Sequence, residues 1–450
     1  MQLFNTLTNQ LDEIKPGPDN VVTLYSCGPT VYDHAHIGNM RTFVMDDLLR
    51  RSLRAAGYTV RAVMNITDID DKTIVRSQEE YPDLGPMEAL IESTRKYEDI
   101  FKEDLRQVGV DLDLVTFVRA TDSIPQMQRL IQSIYDNGYA YVADGSVYFD
   151  LKKFRADGKP YGRLTNVDYS AQARVDNDEY EKNEARDFAL WKGVKDGEPY
   201  WDFSLNEHDV PGRPGWHIEC SAMALDNLGQ PLTIHSGGID LKFPHHENEI
   251  AQVVAATDQD FTELFTHHNH LYVDGRKMSK SLNNFYTIED IKAKGFHPLA
   301  FRLVALQANH TSQLNFTWES IEAAQNRLGN LYAWADLSLQ SSAEKLNKIA
   351  NLEELLANDL ASPLALEAIA EHASVAPAAS VLEQIDAVFG LGLANRPNIT
   401  ADQKQLITQR QTAREAKDWA ASDKLRDQLA EQGLDIDDTP NGPIWRRTNL

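Results

Sequence analysis

The chain has 450 residues, enough for about three domains of ~150 residues each, and its 42% hydrophobic and 25% charged composition is that of a globular protein with sizeable cores, not a disordered or fibrous one. No apolar run is long enough to span a bilayer, and residues 1–8 have neither a basic opening nor a long apolar stretch; neither a membrane segment nor a cleaved secretion signal is expected, and the cytoplasm is the expected compartment. With 68 acidic and 44 basic residues the net charge is −24, so the surface as a whole repels nucleic acid and any polyanion has to be met by a local basic patch.

In chain order, Val21-Val22-Thr23-Leu24-Tyr25 is β-branched and aromatic and runs into Cys27-Gly28-Pro29-Thr30, which predicts a buried strand ending in a turn. Phe43, Val44, Leu48, Leu49 and Leu53 recur at helical spacing and predict a helix over 40–53. A second strand is expected over 59–66, ending at Thr67-Asp68. Strand, helix, strand is the βαβ unit of a Rossmann-like, doubly wound parallel sheet, an α/β fold in which ligands collect at the carboxyl ends of the strands. Cys27 and Thr67 would lie there.

From about residue 116 to 212 turn signals and mixed charge break the rhythm, as an insertion would. The α/β pattern resumes after Pro211-Gly212-Arg213-Pro214-Gly215 with a helix from Trp216, a strand Leu232-Thr233-Ile234-His235 and a helix starting near Pro244, since proline suits a helix's first position. Between Gly329 and Gly390 there is no glycine and much Ala, Leu and Glu, which predicts a helical bundle. A charged helix over 412–432 and a Trp445-Arg446-Arg447 tail close the chain. The expected domains are a catalytic domain in two halves, 1–115 and 213–270, split by an inserted domain over 116–212. A lysine loop and linking subdomain over 271–312, a helical bundle over 313–395 and a small C-terminal domain over 396–450 follow.

Three constellations carry chemistry. His34-Ala35-His36-Ile37-Gly38-Asn39 stands where the first strand gives way to the first helix; free backbone N–H groups and the positive end of the dipole suit a phosphate there, and His or Asn side chains add donors. Lys277-Met278-Ser279-Lys280-Ser281, behind Asp274-Gly275-Arg276, puts two lysines on a glycine-hinged loop able to stabilise charge on a leaving pyrophosphate. The third is a candidate metal site. In a helix beginning at Pro244, His245 and Glu249 are four apart and share a face, and with Cys27 and Cys220 they make a donor set compatible with tetrahedral zinc. His246, Glu247 and His217 compete for the same role. The two cysteines are too far apart for a local zinc knuckle, and a structural disulfide does not suit a reducing compartment.

The order Lys-Met-Ser-Lys-Ser together with His-Ile-Gly-Asn is the two-part signature of class I aminoacyl-tRNA synthetases, and the chain as a whole resembles the cysteinyl-tRNA synthetase family. The resemblance runs from Cys27-Gly28-Pro29-Thr30-Val31-Tyr32-Asp33 through Asn65-Ile66-Thr67-Asp68-Ile69-Asp70-Asp71-Lys72, Gly215-Trp216-His217-Ile218-Glu219-Cys220-Ser221 and Phe243-Pro244-His245-His246-Glu247-Asn248-Glu249 to the lysine loop, and more loosely to the tail. Asn39 stands where many class I enzymes carry a second histidine, and its amide still donates. The resemblance implies zinc on Cys27, Cys220, His245 and Glu249, acting to recognise the thiol of substrate cysteine. It implies that Gly28, Thr67 and Trp216 contact cysteine and that Gly238 and Asp240 contact adenosine. His36 and Asn39 would hold the ATP phosphates, and Lys277 and Lys280 the transition state.

The implied reaction is ATP-dependent activation of L-cysteine, with magnesium on the ATP, followed by transfer to tRNA(Cys). A monomer is expected. For the tRNA, Arg410, Arg414, Lys417, Lys424 and Arg426 sit on or beside the last predicted helix, and Trp445 beside Arg446 and Arg447 offers a stacking ring next to cations. Three rivals make different demands. A cysteine ligase acting on an amino sugar needs no anticodon-reading domain, a zinc hydrolase gives the lysine loop no task, and a noncatalytic tRNA-binding paralogue has no use for an intact lysine loop.

Overall fold

The run after Asn20 forms strand β1 (Val21–Ser26), followed by helix α1 (Ile37–Ala55) and strand β2 (Thr59–Ile66), in a computed structural model that describes residues 1–165, 186–278, 284–340, 345–439 and 442–448. Helices Asp71–Glu80 and Pro86–Gln107 lead to β3 (Thr116–Arg119). After the insertion come helix α2 (Trp216–Leu228), β4 (Leu232–Gly238), helix α3 (His245–Thr257) and β5 (Thr262–His268). These five strands form one sheet in the order β5-β4-β1-β2-β3, every pair parallel. The chain winds outward from β1 to β3 and restarts on the other side at β4, so the switch point lies between β1 and β4. The crevice beyond their carboxyl ends is where such sheets bind ligands.

The sheet has a core on each face. On one side α1 buries Ile37, Met40, Val44 and Leu48 in a cluster that continues into the helices after residue 297. On the other, α2 and α3 pack with the inserted domain around Tyr25, Trp191 and Phe265. That inserted domain has its own antiparallel sheet, in the order Gly212–Pro214, Ala189–Gly193, Ser146–Phe149, Ala140–Ala143. The boundary expected at 115/116 is corrected by β3: Val63 pairs with Thr116 and Ile66 with Arg119, so residues 116–119 belong to the parallel sheet and the insertion starts after them.

Beyond β5 a short sheet of β6 (Leu271–Val273), β7 (Arg276–Lys277) and β8 (Leu314–Phe316) forms, and β7 carries the chain into the lysine loop. Helix α4 (Pro298–Leu306) lies between β7 and β8, and α5 (Trp318–Leu337) opens the helical region. Helices Leu352–Ala357, Ser362–Glu371 and Ala379–Phe389 complete it. The C-terminal domain corrects a second expectation: two helices, Ala401–Glu415 and Trp419–Glu431, stand where one was predicted over 412–432. The chain breaks at Lys417, whose φ is +60°, and Asp418 caps the second helix by accepting from Ala421 N. A hairpin of Leu434–Thr439 and Gly442–Arg447 packs on these helices. Among the described residues no helix is long and apolar enough to cross a membrane.

Catalytic sheet and helical region are joined at Asp47 of α1. Its fully buried carboxylate accepts from Arg302 of α4 at 2.5 Å, from Arg51 at 2.8 Å and from the backbone N–H of Asp111 at 3.1 Å. Arg302 also donates to the carbonyls of Val108 and Phe389, so one ion pair ties four segments. Burial alone would push Asp47 up, but Arg302, Arg51 and Arg50 outweigh it and hold the carboxyl below its ordinary value of 3.8. A carboxylate with a depressed pKa contributes stability that is complete above the ordinary range and is lost as pH falls through the folded pKa. Asp47→Asn, which leaves Arg302 buried opposite no charge, should cost about 3–5 kcal/mol at neutral pH. In denaturant titrations the deficit should shrink below the ordinary carboxylate range, and an unchanged midpoint at pH 7 would refute the role.

Candidate active site and metal centre

A cleft of about 400 Å³ opens at the switch point, walled by the turn after β1, the first turn of α1, the end of β4 and the strands leading to the lysine loop. His36, Asn39, Gly238, Asp240, Gly28, Trp216, Cys27 and Lys277 line it, so most of the residues singled out in the sequence meet in one place. Lys280 lies outside the described residues.

The α1 end of the cleft is an open helix start. His36 is the N-cap, and its Nδ1 accepts from Asn39 N at 3.1 Å, which places the ring proton of the neutral form on Nε2. A Cβ on Gly38 would stand 2.6 Å from Met278 Cε and 2.9 Å from the His36 ring, so the first turn of α1 and the Met278 side chain approach closely here. At the opposite wall, Asp240 is exposed just beyond β4, and Gly238 stands at the strand's end.

Gly28 and Thr67 are linked beneath the cleft by Asn65, the residue the sequence reading passed over. Asn65 Oδ1 accepts from Gly28 N at 2.7 Å, and its Nδ2 donates to Thr67 Oγ1 at 3.0 Å. Thr67 donates on to Glu219 Oε2 at 2.9 Å. Gly28 is obligatory, since a Cβ there would fall 1.8 Å from the carbonyl oxygen of Asn65. Thr67 itself is buried and lies beneath the cleft wall.

Behind Trp216 the four proposed ligands converge. One donor atom from each of Cys27, Cys220, His245 and Glu249 lies within 4.8 Å of the others, and all four residues are buried. The thiols are free and 4.0 Å apart, so they form no disulfide. Cys27 Sγ is 4.0 Å from Glu249 Oε1, and His245 Nε2 is 2.9 Å from the same oxygen. Bonds of ~2.0–2.3 Å to a tetrahedral ion would space ligands roughly 3.3–3.8 Å apart, so the set fits a zinc-sized ion with small movements. Burial pushes the Cys27 thiol well up, and Cys220 and Glu249 beside it push it further. For Cys220 burial also raises, but the Cys27 hydrogen bond and His245 prevail and hold it at about 6. Burial raises Glu249 too, yet His235 and His245 bring it to about 2. Acidic donors crowded in this way favour a cation among them.

The rivals for ligation separate by their partners. Glu247 accepts the backbone N–H groups of Gly162 and Leu164 and so secures the 162–164 turn. His217 Nδ1 meets His245 Nδ1 at 2.9 Å and orients that ring, whose face stacks on Trp216 at 4.2 Å. His246 is within reach: Cys27, His235, His246 and Glu249 form a second set of donors within 4.8 Å, sharing two residues with the first. His246 Nε2 is 3.3 Å from Cys27 Sγ, its Nδ1 is 2.8 Å from His267 Nε2, and His267 Nδ1 reaches Thr6 Oγ1 at 2.8 Å. His235 Nε2 holds Glu249 Oε2 at 2.7 Å. His235 sits at the middle of β4 and His267 near the carboxyl end of β5, and the strand-end position of His267 was the one sequence signal for the pair.

The C-terminal domain corrects two tRNA expectations. Trp445 is 6% exposed and belongs to a small core with Ile399, Leu429 and Leu434, so it cannot stack on a base. Arg410 is fully buried and forms a two-bond pair with Asp438 at 2.7 and 2.9 Å, so it is spent within the fold. Arg447 pairs with Asp336 of α5 at 2.6 Å, and Arg414 and Arg446 pair with Asp438 and Asp437 at 3.0 Å. The exposed indole is Trp419, 57% accessible at the start of its helix, with the Arg414 guanidinium 5.7 Å from its ring centroid.

Known proteins agree with this geometry. The profile of the class I (C) tRNA synthetase catalytic domain matches residues 13–326, and that of the cysteinyl-tRNA ligase anticodon binding domain matches 396–446. The chain is 39% identical to a cysteine--tRNA ligase of Solibacter usitatus and 40% to one of Leptospira interrogans, with 99% of both chains covered in each case. Methionyl-tRNA synthetase of Mycobacterium tuberculosis in complex with methionyl-adenylate shares the fold at TM-score 0.55 and 16% identity, over 83% of this chain and 88% of that one. A leucyl enzyme of Agrobacterium radiobacter in a ternary complex with tRNA does so at 0.55 and 12%, over 84% and 82%. On the length and identity of these matches, the chain belongs to the cysteine--tRNA ligase family of class I aminoacyl-tRNA synthetases.

Proposed function

We propose that this chain condenses L-cysteine with ATP to cysteinyl-adenylate and pyrophosphate, then passes the cysteinyl group to a terminal ribose hydroxyl of tRNA(Cys). Zinc on Cys27, Cys220, His245 and Glu249 would serve cysteine recognition, and magnesium would accompany the ATP. One observation carries the reading: a buried cluster of two thiols, an imidazole and a carboxylate stands behind one wall of a cleft whose other walls include a helix start and Lys277.

In the first step a cysteine carboxylate oxygen attacks the α-phosphorus, and the bond to the bridging oxygen breaks toward pyrophosphate. The N-terminus of α1, with His36 and Asn39, holds the phosphates, and Lys277 and Lys280 stabilise the charge that builds on the leaving group. Gly238 and Asp240 hold the adenosine, the aspartate accepting from ribose hydroxyls. In the second step the ribose hydroxyl attacks the acyl carbon and AMP leaves, so no covalent enzyme intermediate forms. Gly28, Thr67 and Trp216 shape the cysteine subsite. Zinc, when bound, offers a ligand position that a thiolate fills readily and a serine hydroxyl poorly, a difference large enough for discrimination without an editing site.

Metal analysis should find about one zinc per chain, because the four donors form a single set around one site. Cys220→Ser should lower metal content and cysteine-dependent pyrophosphate exchange together, and full exchange after verified zinc removal would sink the recognition role. Lys280→Ala should depress kcat for adenylation far more than it weakens cysteine binding. Normal single-turnover adenylation by that variant would remove the lysine loop from the mechanism.

For tRNA, the exposed Trp419 with Arg414 beside it supports a stacking platform for an unpaired base. A base–aromatic stack is worth about 1–3 kcal/mol, so Trp419→Ala should lower kcat/KM for tRNA by roughly 5- to 150-fold and leave pyrophosphate exchange unchanged. Unimpaired charging by a folded Trp419→Ala protein would show that the bases are read elsewhere.

A further inference from the structure

Arg41 stands two residues beyond Asn39 on α1, fully buried, and among the described residues it meets no carboxylate. Its guanidinium ends instead in four backbone carbonyls. One terminal nitrogen donates to Asn269 O at 2.8 Å and His270 O at 2.7 Å, and the other to Asn309 O at 3.2 Å and Ser312 O at 2.6 Å. These carbonyls belong to the two turns that feed the parallel pair β6 and β8. Within β6, Tyr272 pairs with Lys277 of β7, so the guanidinium grips the chain two residues before the register partner of the loop's first lysine. Asn269 and His270 also form part of the cleft wall.

The outgoing side of the same loop hangs on the same helix. Ile37 N donates to Tyr286 O at 2.8 Å, His36 pairs in an isolated bridge with Thr287, and Gly38 faces Met278. One and a half turns of α1 thus hold the phosphate-facing helix start and both flanks of the lysine loop in a single register. A buried cation that finds no counter-ion among the described residues is an expensive way to fill space, and an apolar side chain would do so at lower cost. What the planar fork gives in return is two pairs of bonds at fixed angles, which an apolar residue or a lysine cannot supply.

We propose that Arg41 is a positioning residue for adenylation: it locks the strands that carry Lys277 to the helix that holds the ATP phosphates, so that lysine charge and phosphate are in register when pyrophosphate leaves. The inference rests on the reading of the lysine loop given above. It assigns Arg41 no contact with substrate, and its effect falls on kcat, because misplacing a charge by about 1 Å can cost on the order of 100-fold.

The test is a double-mutant cycle on the full-length, zinc-loaded enzyme, read by single-turnover cysteinyl-adenylate formation. Arg41→Gln should lower the rate of adenylation roughly 10- to 100-fold with KM for ATP and cysteine within about 3-fold, at unchanged zinc content. In a Lys277→Ala background the same substitution should cost less than about 3-fold, since the lysine it positions is already gone. Arg41→Lys keeps the charge and loses the fork; it should also lower kcat, and it replaces Arg41→Gln if that protein does not fold. Losses that multiply across the cycle, or a loss confined to KM, would overturn the proposal. Normal adenylation by Lys277→Ala alone would instead overturn the loop reading on which it rests.

Discussion

Two thiols, an imidazole and a carboxylate share one buried space at the carboxyl edge of the sheet, and the charge balance of that space constrains what surrounds it. Acidic groups brought this close and removed from water repel one another unless hydrogen bonds or a cation offset them. The fold meets this need with histidines. His235 holds the second oxygen of Glu249, His217 orients His245, and His246 approaches Cys27 while leaning on His267. Burial drives His217, His246 and His267 well below their ordinary values, so they stay neutral and act as hydrogen-bonding groups rather than added charges. Such outer partners fix the orientation of the inner ones.

That cluster depends on the sheet's topology for its assembly. Cys27 comes from the turn after β1, Cys220 from α2, and His245 and Glu249 from α3, segments 193 or more residues from Cys27 in the chain. They meet because β1 and β4 are neighbours at the switch point, paired through Ser26 and Ser236. The same edge presents the N-terminus of α1 to the cleft. The buried donor cluster and the helix start are therefore not separate modules, since one strand pair sets the distance between them. The helix between them is also the mechanical joint of the protein, with Arg41 reaching the lysine-loop strands and Asp47 reaching α4.

Much of this was legible in the sequence where local pattern and chemistry coincided. The β1–α1–β2 unit follows from β-branched runs and helical spacing, and the i, i+4 relation of His245 and Glu249 gives half of a ligand set without any tertiary knowledge. Strand β3 was hidden because four residues, Thr116–Arg119, carry no periodicity, and only pairing with β2 defines them. The break at Lys417 was hidden for a similar reason: no glycine or proline marks it, and a left-handed lysine is a tertiary outcome. Trp445 was expected at the surface and Trp419 was not singled out, because aromatic residues beside cations look alike in a sequence. Hairpin pairing of Trp445 with Ile436 and packing on Leu429 decide which one is buried.

The acidity of the chain looks at first like an obstacle to holding a polyanion, and the ion pairs explain how the two are reconciled. Many arginines in the C-terminal third are used internally. Arg396 and Arg447 both close on Asp336, which docks the final domain on α5, and Gln340 exchanges two hydrogen bonds with the backbone of Trp445 at the same junction. Arg410 and Arg414 close on Asp438. Arginines paired in this way release few counterions when nucleic acid binds, so they add little nonspecific attraction. Their effect is geometric: they fix the small domain, and with it Trp419, relative to a helical region that shares its core with α1. In an enzyme that must bind one tRNA among many, spending arginines on internal ion pairs favours recognition by shape and base contact over attraction by charge.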